Sequence, residues 1–95
     1  MENVNLVKFE LLVVKQYYRF LVDADVPGAK YRDLVDRYDK AASSLDPVLF
    51  RLYLVMYHKG ATFQGVSDVF NCSRRTVYRY HDALLSSLAA LLPCS

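Results

Sequence analysis

Residues 61–85 read ATFQGVSDVFNCSRRTVYRYHDALL, and this stretch predicts two short helices joined by a tight turn. Thr62 and Ser73 are candidate N-caps for the two helices, because a hydroxyl can accept a free backbone N–H. Asn71 follows the last apolar residue of the first helix and tolerates the left-handed backbone that ends a helix. Such a pair buries a shared apolar wedge and exposes its second helix, as in a helix-turn-helix.

The apolar residues of each helix recur at helical spacing, which predicts the side that is buried. They are Phe63, Val66, Val69 and Phe70 in the first helix, and Val77, Tyr80 (or His81) and Leu84 in the second. The outward positions of the second helix are Arg74, Arg75, Tyr78, Arg79 and Asp82. Arginines at the start of an exposed helix suit phosphates and guanine edges in a major groove.

We therefore predict a DNA-binding surface on the helix-turn-helix. Its residues in the second helix are Ser73, Arg74, Arg75, Thr76, Tyr78 and Arg79. Lys59, Thr62 and Gln64 surround the start of the first helix and are predicted to clamp the DNA backbone. Arg74 and Arg75 are the strongest candidates, because the N-terminal end of this helix enters the groove and its free amides favour phosphate. Ser73 has an alternative role, in which it only caps the helix and does not contact DNA.

Residues 45–88 resemble region four of bacterial sigma factors, the part that recognises promoters. The resemblance runs through LDP, YHKG, TFQGVSDVF and CSRRTVYRYHDALLSSL, and it looks closest to small phage late-gene activators of the ArpU and RinA type. It implies double-stranded DNA binding and a role with host RNA polymerase. Ser67 stands where the family usually has alanine, Asn71 where it often has glycine, and Arg75 where it often has an acidic residue. Arg75 argues against a sigma-type sequence preference, although not against DNA binding.

The composition predicts one all-α domain of five helices. The chain has 95 residues, of which 54% are hydrophobic, with only three Gly and three Pro to supply β turns. Residues 1–45 are expected to form supporting helices, and residues 46–92 the sigma-like helix-turn-helix unit. Residues 1–45 hold seven basic and seven acidic side chains, so the net charge of +2 comes from the five basic and three acidic ones of residues 46–95. A local basic excess is typical of nucleic-acid binders.

Turn and cap signals place the remaining helices. The first helix of the whole chain is expected from Asn3 or Asn5 to about residue 22. The second helix of the chain is expected over residues 30–44, after the Pro27-Gly28 turn. The third begins after Asp46, runs to about residue 58 and is apolar nearly all round, which predicts a central buried helix. Gly60 is expected to end it with a left-handed backbone, and Pro93 to end the last helix.

The first helix carries more apolar surface than one neighbour can cover. One stripe consists of Leu6, Phe9, Val13, Tyr17 and Phe20, and the other of Val7, Leu11, Val14, Tyr18 and Leu21. We expect the first stripe to pack on the helix-turn-helix and the second to hold a homodimer. Two alternatives remain: helices two and five cover both stripes within a monomer, or the second stripe docks on polymerase.

Other classes of protein lack support in the sequence. There is no Gly-rich phosphate loop, no Cys/His metal spacing and no nucleophile patterned with His58 or His81, so we predict neither an enzyme nor a cofactor. No apolar run approaches the roughly eighteen residues of a membrane span, so no membrane contact is predicted. Cys72 is expected as a buried thiol without a disulfide to Cys94, which fits the cytoplasm.

The leading prediction is a sequence-specific transcription regulator that binds double-stranded DNA. Two alternative functions are also considered. The first is a protein-interaction module that binds sigma factor or RNA polymerase and never reads DNA itself. The second is a DNA-packaging or recombination protein that uses the same motif to mark a site. An interaction surface would more often carry apolar or aromatic residues where Arg74, Arg75 and Arg79 stand, which favours DNA.

Overall fold

The structure is a computed structural model that describes residues 4–21 and 31–92, and the side chains of residues 20 and 21 lie outside this description. Within these ranges it contains helices and no strand. The helices are α1 (Val4–Leu21), α2 (Arg32–Ser43), α3 (Pro47–Tyr53), α4 (Phe63–Phe70) and α5 (Arg74–Leu91), with a π-helical segment, Leu54–His58, directly after α3. The predicted all-α, five-helix fold is confirmed. The predicted turn at Pro27-Gly28, the helix stop at Pro93, and Cys94 lie outside the described residues.

The predicted N-caps of three helices are confirmed. The Asp46 carboxylate accepts from the backbone N–H of Val48 at 3.0 Å, and Pro47 is the first residue of α3. Thr62 and Ser73 accept through their hydroxyl oxygens from backbone N–H groups three residues on, at 3.1 and 3.2 Å. A cap of this kind typically contributes about 1 kcal/mol, so each of these three helix starts is stabilised by a single side chain.

The α3 helix and the π-helical segment lie at the centre of the fold, in contact between them with all four other helices. Leu52, Tyr53, Met56 and Tyr57 are buried, which confirms the prediction of a central helix. Gly60, two residues after the segment, has φ 75° and so adopts the predicted left-handed conformation. The chain turns here, and the N–H of Ala61 bonds to the carbonyl of Val55 at 3.0 Å. The π winding itself was not predicted.

The α1 helix packs with the opposite side from the one predicted. Val7, Leu11 and Val14 are at most 2% exposed and belong to the common core, whereas Leu6 is 44% and Phe9 65% exposed. The reason is that α2, the π-helical segment and α5 all contact α1 and together cover the Val7 side. A helical wheel with two apolar stripes does not distinguish this arrangement from its reverse.

The predicted dimer interface is therefore wrong. A dimer interface on this stripe requires Val7, Leu11, Val14, Tyr18 and Leu21 to be exposed in a single chain. Val7, Leu11 and Val14 are instead buried in the core of that chain. Tyr18 is partly buried and donates a hydrogen bond to Asp39, and the side chain of Leu21 lies outside the described residues. The structure instead favours the alternative in which a single chain covers the second stripe.

One carboxylate of α2 joins this helix to three other helical elements: α1, α3 and the π-helical segment. Asp39 of α2 accepts hydrogen bonds from the hydroxyl of Tyr18, from the hydroxyl of Tyr53 at 2.6 Å and from Nε2 of His58 at 2.8 Å. The rings of Tyr18 and His58 also stack, with centroids 3.8 Å apart. Burial and the bond to Asp39 raise the pKa values of Tyr18 and Tyr53 above the ordinary value, so both hydroxyls remain donors.

None of the helices within residues 4–21 and 31–92 combines the length and the apolar character that crossing a membrane requires.

Candidate nucleic-acid interface

The turn between α4 and α5 is held by a compact set of hydrogen bonds. Asn71 has φ 54°, the predicted left-handed conformation, and its N–H bonds to the carbonyl of Asp68 at 3.3 Å. The N–H of Cys72 bonds to the carbonyl of Ser67 at 3.1 Å, and the hydroxyl of Ser67 donates back to the carbonyl of Cys72. Ser67 is only 8% exposed. Its hydroxyl therefore has a role in the turn that the alanine usual in the sigma family would lack.

The apolar wedge between α4 and α5 is close to the predicted one. Val66, Val77 and Leu84 are fully buried, and Phe63, Phe70 and Cys72 pack against the core as partly buried residues. Val69 was expected in this wedge but is 51% exposed. The buried side of α4 runs from Val66 to Ser67, and a helix turns roughly 100° per residue, so Val69 points away from it.

The outward side of α5 is as predicted. Arg74, Arg75, Arg79 and Asp82 are exposed, and Tyr78 is 49% exposed. None of the three arginines forms an ion pair with any residue that the structure describes. Arg75 and Arg79 are four residues apart, about one helical turn, and so project from the same face. This face presents free guanidinium groups on a helix whose start is fixed by a cap.

Tyr78 is held in place by a residue that the sequence did not single out for this purpose. The ring of Phe63, at the start of α4, stacks on Tyr78 with centroids 4.4 Å apart and an interplanar angle of 26°. The stack joins the N-terminal end of α4 to the exposed face of α5. It limits the rotamers of Tyr78, so less conformational entropy would be lost when its hydroxyl or ring edge contacts a ligand.

The remaining predicted contact residues divide into two groups. Lys59 is exposed beside the start of α4 and has no ion-pair partner among the described residues. The others already bond within the protein: Thr62 and Ser73 act as caps, the hydroxyls of Ser73 and Thr76 lie 3.1 Å apart, and the amide of Gln64 donates to Asp68 at 3.1 Å. The hydroxyl of Thr62 only accepts here and can still donate to a phosphate, whereas one of the Ser73 and Thr76 hydroxyls donates to the other. The amide of Gln64 keeps a second N–H beside the one that bonds to Asp68.

His81 lies at the edge of the core behind this face. Its Nε2 shares a hydrogen bond with the hydroxyl of Tyr57, and Phe63 meets its ring edge-on with centroids 5.2 Å apart. Burial lowers the pKa of His81, and burial also raises the pKa of Tyr57 to about 12. The imidazole is therefore neutral near pH 7 and supplies packing and a hydrogen bond rather than a cation.

No family model, curated protein or solved structure matches this chain. The sigma-like resemblance of residues 45–88 accordingly stays a prediction from the sequence. Within residues 4–21 and 31–92, no group of three or more His, Cys, Asp or Glu side chains is placed to hold a metal ion.

Proposed function

We propose that this protein binds double-stranded DNA in a sequence-specific manner through α5 and regulates transcription together with RNA polymerase, as a phage-type sigma-like activator. One observation supports the DNA-binding part most directly: Arg74, Arg75 and Arg79 are exposed at the start of a capped helix and form no ion pair with a described residue. Arginines without ion pairs leave no carboxylate behind unpaired when they bind, and the helix that carries them already has an ordered backbone. The role with polymerase depends on the resemblance to sigma region four.

In this proposal the two kinds of contact come from different side chains. Arg75 and Arg79, one turn apart on the exposed face, read guanine edges in the major groove, with Tyr78 against a thymine methyl group or a phosphate. Arg74 and Lys59 contact phosphates at the two helix starts. A bidentate arginine–guanine pair contributes roughly 1–3 kcal/mol of discrimination, and each neutralised phosphate adds roughly 0.9 to the log–log salt slope.

A second candidate function has its own observation. Leu6, Phe9 and Leu12 are 44%, 65% and 57% exposed on one helix, and adjacent exposed apolar side chains are typical of protein contacts. They favour a module that binds sigma factor or RNA polymerase. Their side of α1 remains exposed for the predicted homodimer, since Val7, Leu11 and Val14 are buried. DNA packaging or recombination would use the same α5 surface without polymerase.

Selection of bound duplexes from a random pool, at stated salt concentrations, tests the proposal. We expect an enriched motif, and Arg75→Ala or Arg79→Ala should weaken binding by about 1–3 kcal/mol and relax one base position. Arg37→Ala, which removes an exposed arginine from α2, is the matched control and should leave the motif unchanged. Lys59→Ala should weaken all sequences to a similar extent.

Two results would contradict this function. A pool without enrichment, combined with capture of purified RNA polymerase or sigma factor, would favour the interaction module. An enriched motif that survives removal of both Arg75 and Arg79 would mean that α5 does not read the bases. Light scattering of the wild type and of Phe9→Lys separately tests the homodimer, which is lost in the variant if the exposed apolar face of α1 forms it.

A further inference from the structure

We propose that α1 is a second DNA-contacting element, in which Lys8, Lys15 and Arg19 bind backbone phosphates beside the site that α5 reads. This inference rests on the proposed function and extends its surface to the N-terminal half of the chain, where the sequence predicted only support and dimerisation.

The first observation is the register of the three cations on α1. At roughly 100° per residue, Lys8, Lys15 and Arg19 fall within about 40° of one another, and at 1.5 Å rise they span about 16 Å. Glu10, the acidic residue of α1, lies on another side of the helix, where its carboxylate accepts from the hydroxyl of Tyr38 at 2.7 Å. The three side chains therefore form a stripe of one charge sign, here called the α1 basic stripe.

The second observation is where this stripe lies. Lys8 and Lys15 line the same cleft, about 250 Å³ in volume, as Phe63 and His81. The Cε atom of Lys15 is 3.9 Å from the point that a Cβ atom on Gly60 would occupy. Lys8 and Lys15 of the α1 basic stripe therefore lie beside Phe63 at the start of α4, and Phe63 stacks on Tyr78 of the outward face of α5. Arg19 continues the stripe about one turn beyond Lys15.

The third observation is that none of these cations pairs with a carboxylate of the described residues. Lys8 and Arg19 are exposed, Lys15 is partly buried, and none of them forms an ion pair with a described residue. Arg32, Arg37 and Lys40 of α2 form no ion pair with a described residue either, but three aspartates share their helix, whereas α1 carries Glu10 alone. Adjacent like charges on α1 and α5 repel each other, and a phosphate backbone is a ligand that offsets the repulsion of both groups at once.

Salt titrations of DNA binding test the inference. Binding of the purified 95-residue chain to the duplex selected above is followed by fluorescence anisotropy, for the wild type and for Lys8→Gln/Lys15→Gln/Arg19→Gln. We expect the triple variant to bind all sequences more weakly and to lose roughly 0.9 of log–log slope for each phosphate contact removed. Its base preference should stay that of the wild type.

A charge-matched variant controls for the loss of net charge. Arg32→Gln/Arg37→Gln/Lys40→Gln removes three exposed cations from α2, which bonds to the Glu10 side of α1, and should change the slope much less. Duplex length adds a positional test. When the flanks are trimmed so that only the selected base pairs remain, the α1 variant and the wild type should bind with nearly equal affinity. Circular dichroism confirms that each variant is folded, and Lys8→Gln alone serves if the triple variant is not.

The two proposals fail in distinguishable ways. If the wild type selects no DNA, the proposed function fails and this inference fails with it. If the wild type binds its motif but the α1 and α2 variants have the same salt slope, α5 still reads DNA and the role of the α1 basic stripe is overturned. The same holds if trimming the flanks leaves the difference between the α1 variant and the wild type intact.

Discussion

The groups around Asp39 and the groups at the start of α5 are both polar, but they differ in how their charges are satisfied. Asp39 receives hydrogen bonds from Tyr18, Tyr53 and His58. The arginines of α5 have no ion-pair partner among the described residues. The difference teaches that partly buried polar groups paired with one another hold helices together, whereas exposed unpaired cations remain available to a ligand.

The two regions also differ in the distance along the chain that their contacts cover. Tyr18 lies 21 residues before Asp39, and His58 lies 19 residues after it. The caps and the turn of the helix-turn-helix instead join residues that are at most five apart. We therefore expect substitutions near Asp39 to act on the free energy of unfolding, and substitutions at the start of α5 to act on binding.

The largest expected effect is that of Asp39→Ala. The substitution leaves two tyrosine hydroxyls and His58 without their acceptor, and we expect it to reduce the free energy of unfolding by about 2–4 kcal/mol, allowing for the partial exposure of the carboxylate. Denaturant unfolding measures the loss. Asp36→Ala, an exposed position on the same helix, is the control and should stay within about 0.5 kcal/mol. Equal effects of the two variants would show that the Asp39 hydrogen bonds add little to stability.

A somewhat smaller loss is expected for Val77→Ala. Val77 is fully buried between α4 and α5, so its truncation leaves a cavity and should cost about 1–3 kcal/mol. The matched control is Val69→Ala, because Val69 is the same residue type but 51% exposed on α4, and should change stability by less than about 0.5 kcal/mol. If Val69→Ala proved as costly as Val77→Ala, the wedge observed here would be incorrect.

The pH dependence of stability should carry a smaller contribution from His81. Because burial lowers its pKa in the folded state, the unfolded chain binds a proton first as the pH falls below the ordinary histidine value of about 6.5. Stability is thus fully present above that pH and is lost as the pH falls toward the pKa of the folded state. Denaturant unfolding across this range should show a shallower decline for His81→Gln than for the wild type. Parallel curves would argue against a depressed pKa.

The smallest expected change in stability is that of the combined Arg74→Ala, Arg75→Ala and Arg79→Ala variant. These side chains are exposed and form no ion pair with a described residue, so the free energy of unfolding should change by no more than about 0.5 kcal/mol. DNA binding, by contrast, should be lost. A large destabilisation would mean that the arginines have a structural role and would weaken the contrast with Asp39.

The sequence by itself predicted the helix-turn-helix and the exposure of its arginines. It did so because the signals are local: Thr62 and Ser73 cap their own helices, and Asn71 adopts the left-handed conformation that only a few residue types tolerate. Gly60 was predictable for the same reason. Exposure alone does not show what Arg74, Arg75 and Arg79 bind, so their contact with DNA remains a proposal.

Only the tertiary structure decided which side of α1 is buried, because a helix with two apolar stripes is consistent with either rotation until its neighbours are placed. The Asp39 hydrogen bonds and the positions of Lys8 and Lys15 beside α4 likewise depend on helices far apart in the chain. Ser67 is a similar case, since a serine within a helix is ordinarily exposed and here it donates into the turn. Periodicity specifies which residues share a face, and packing determines what that face meets.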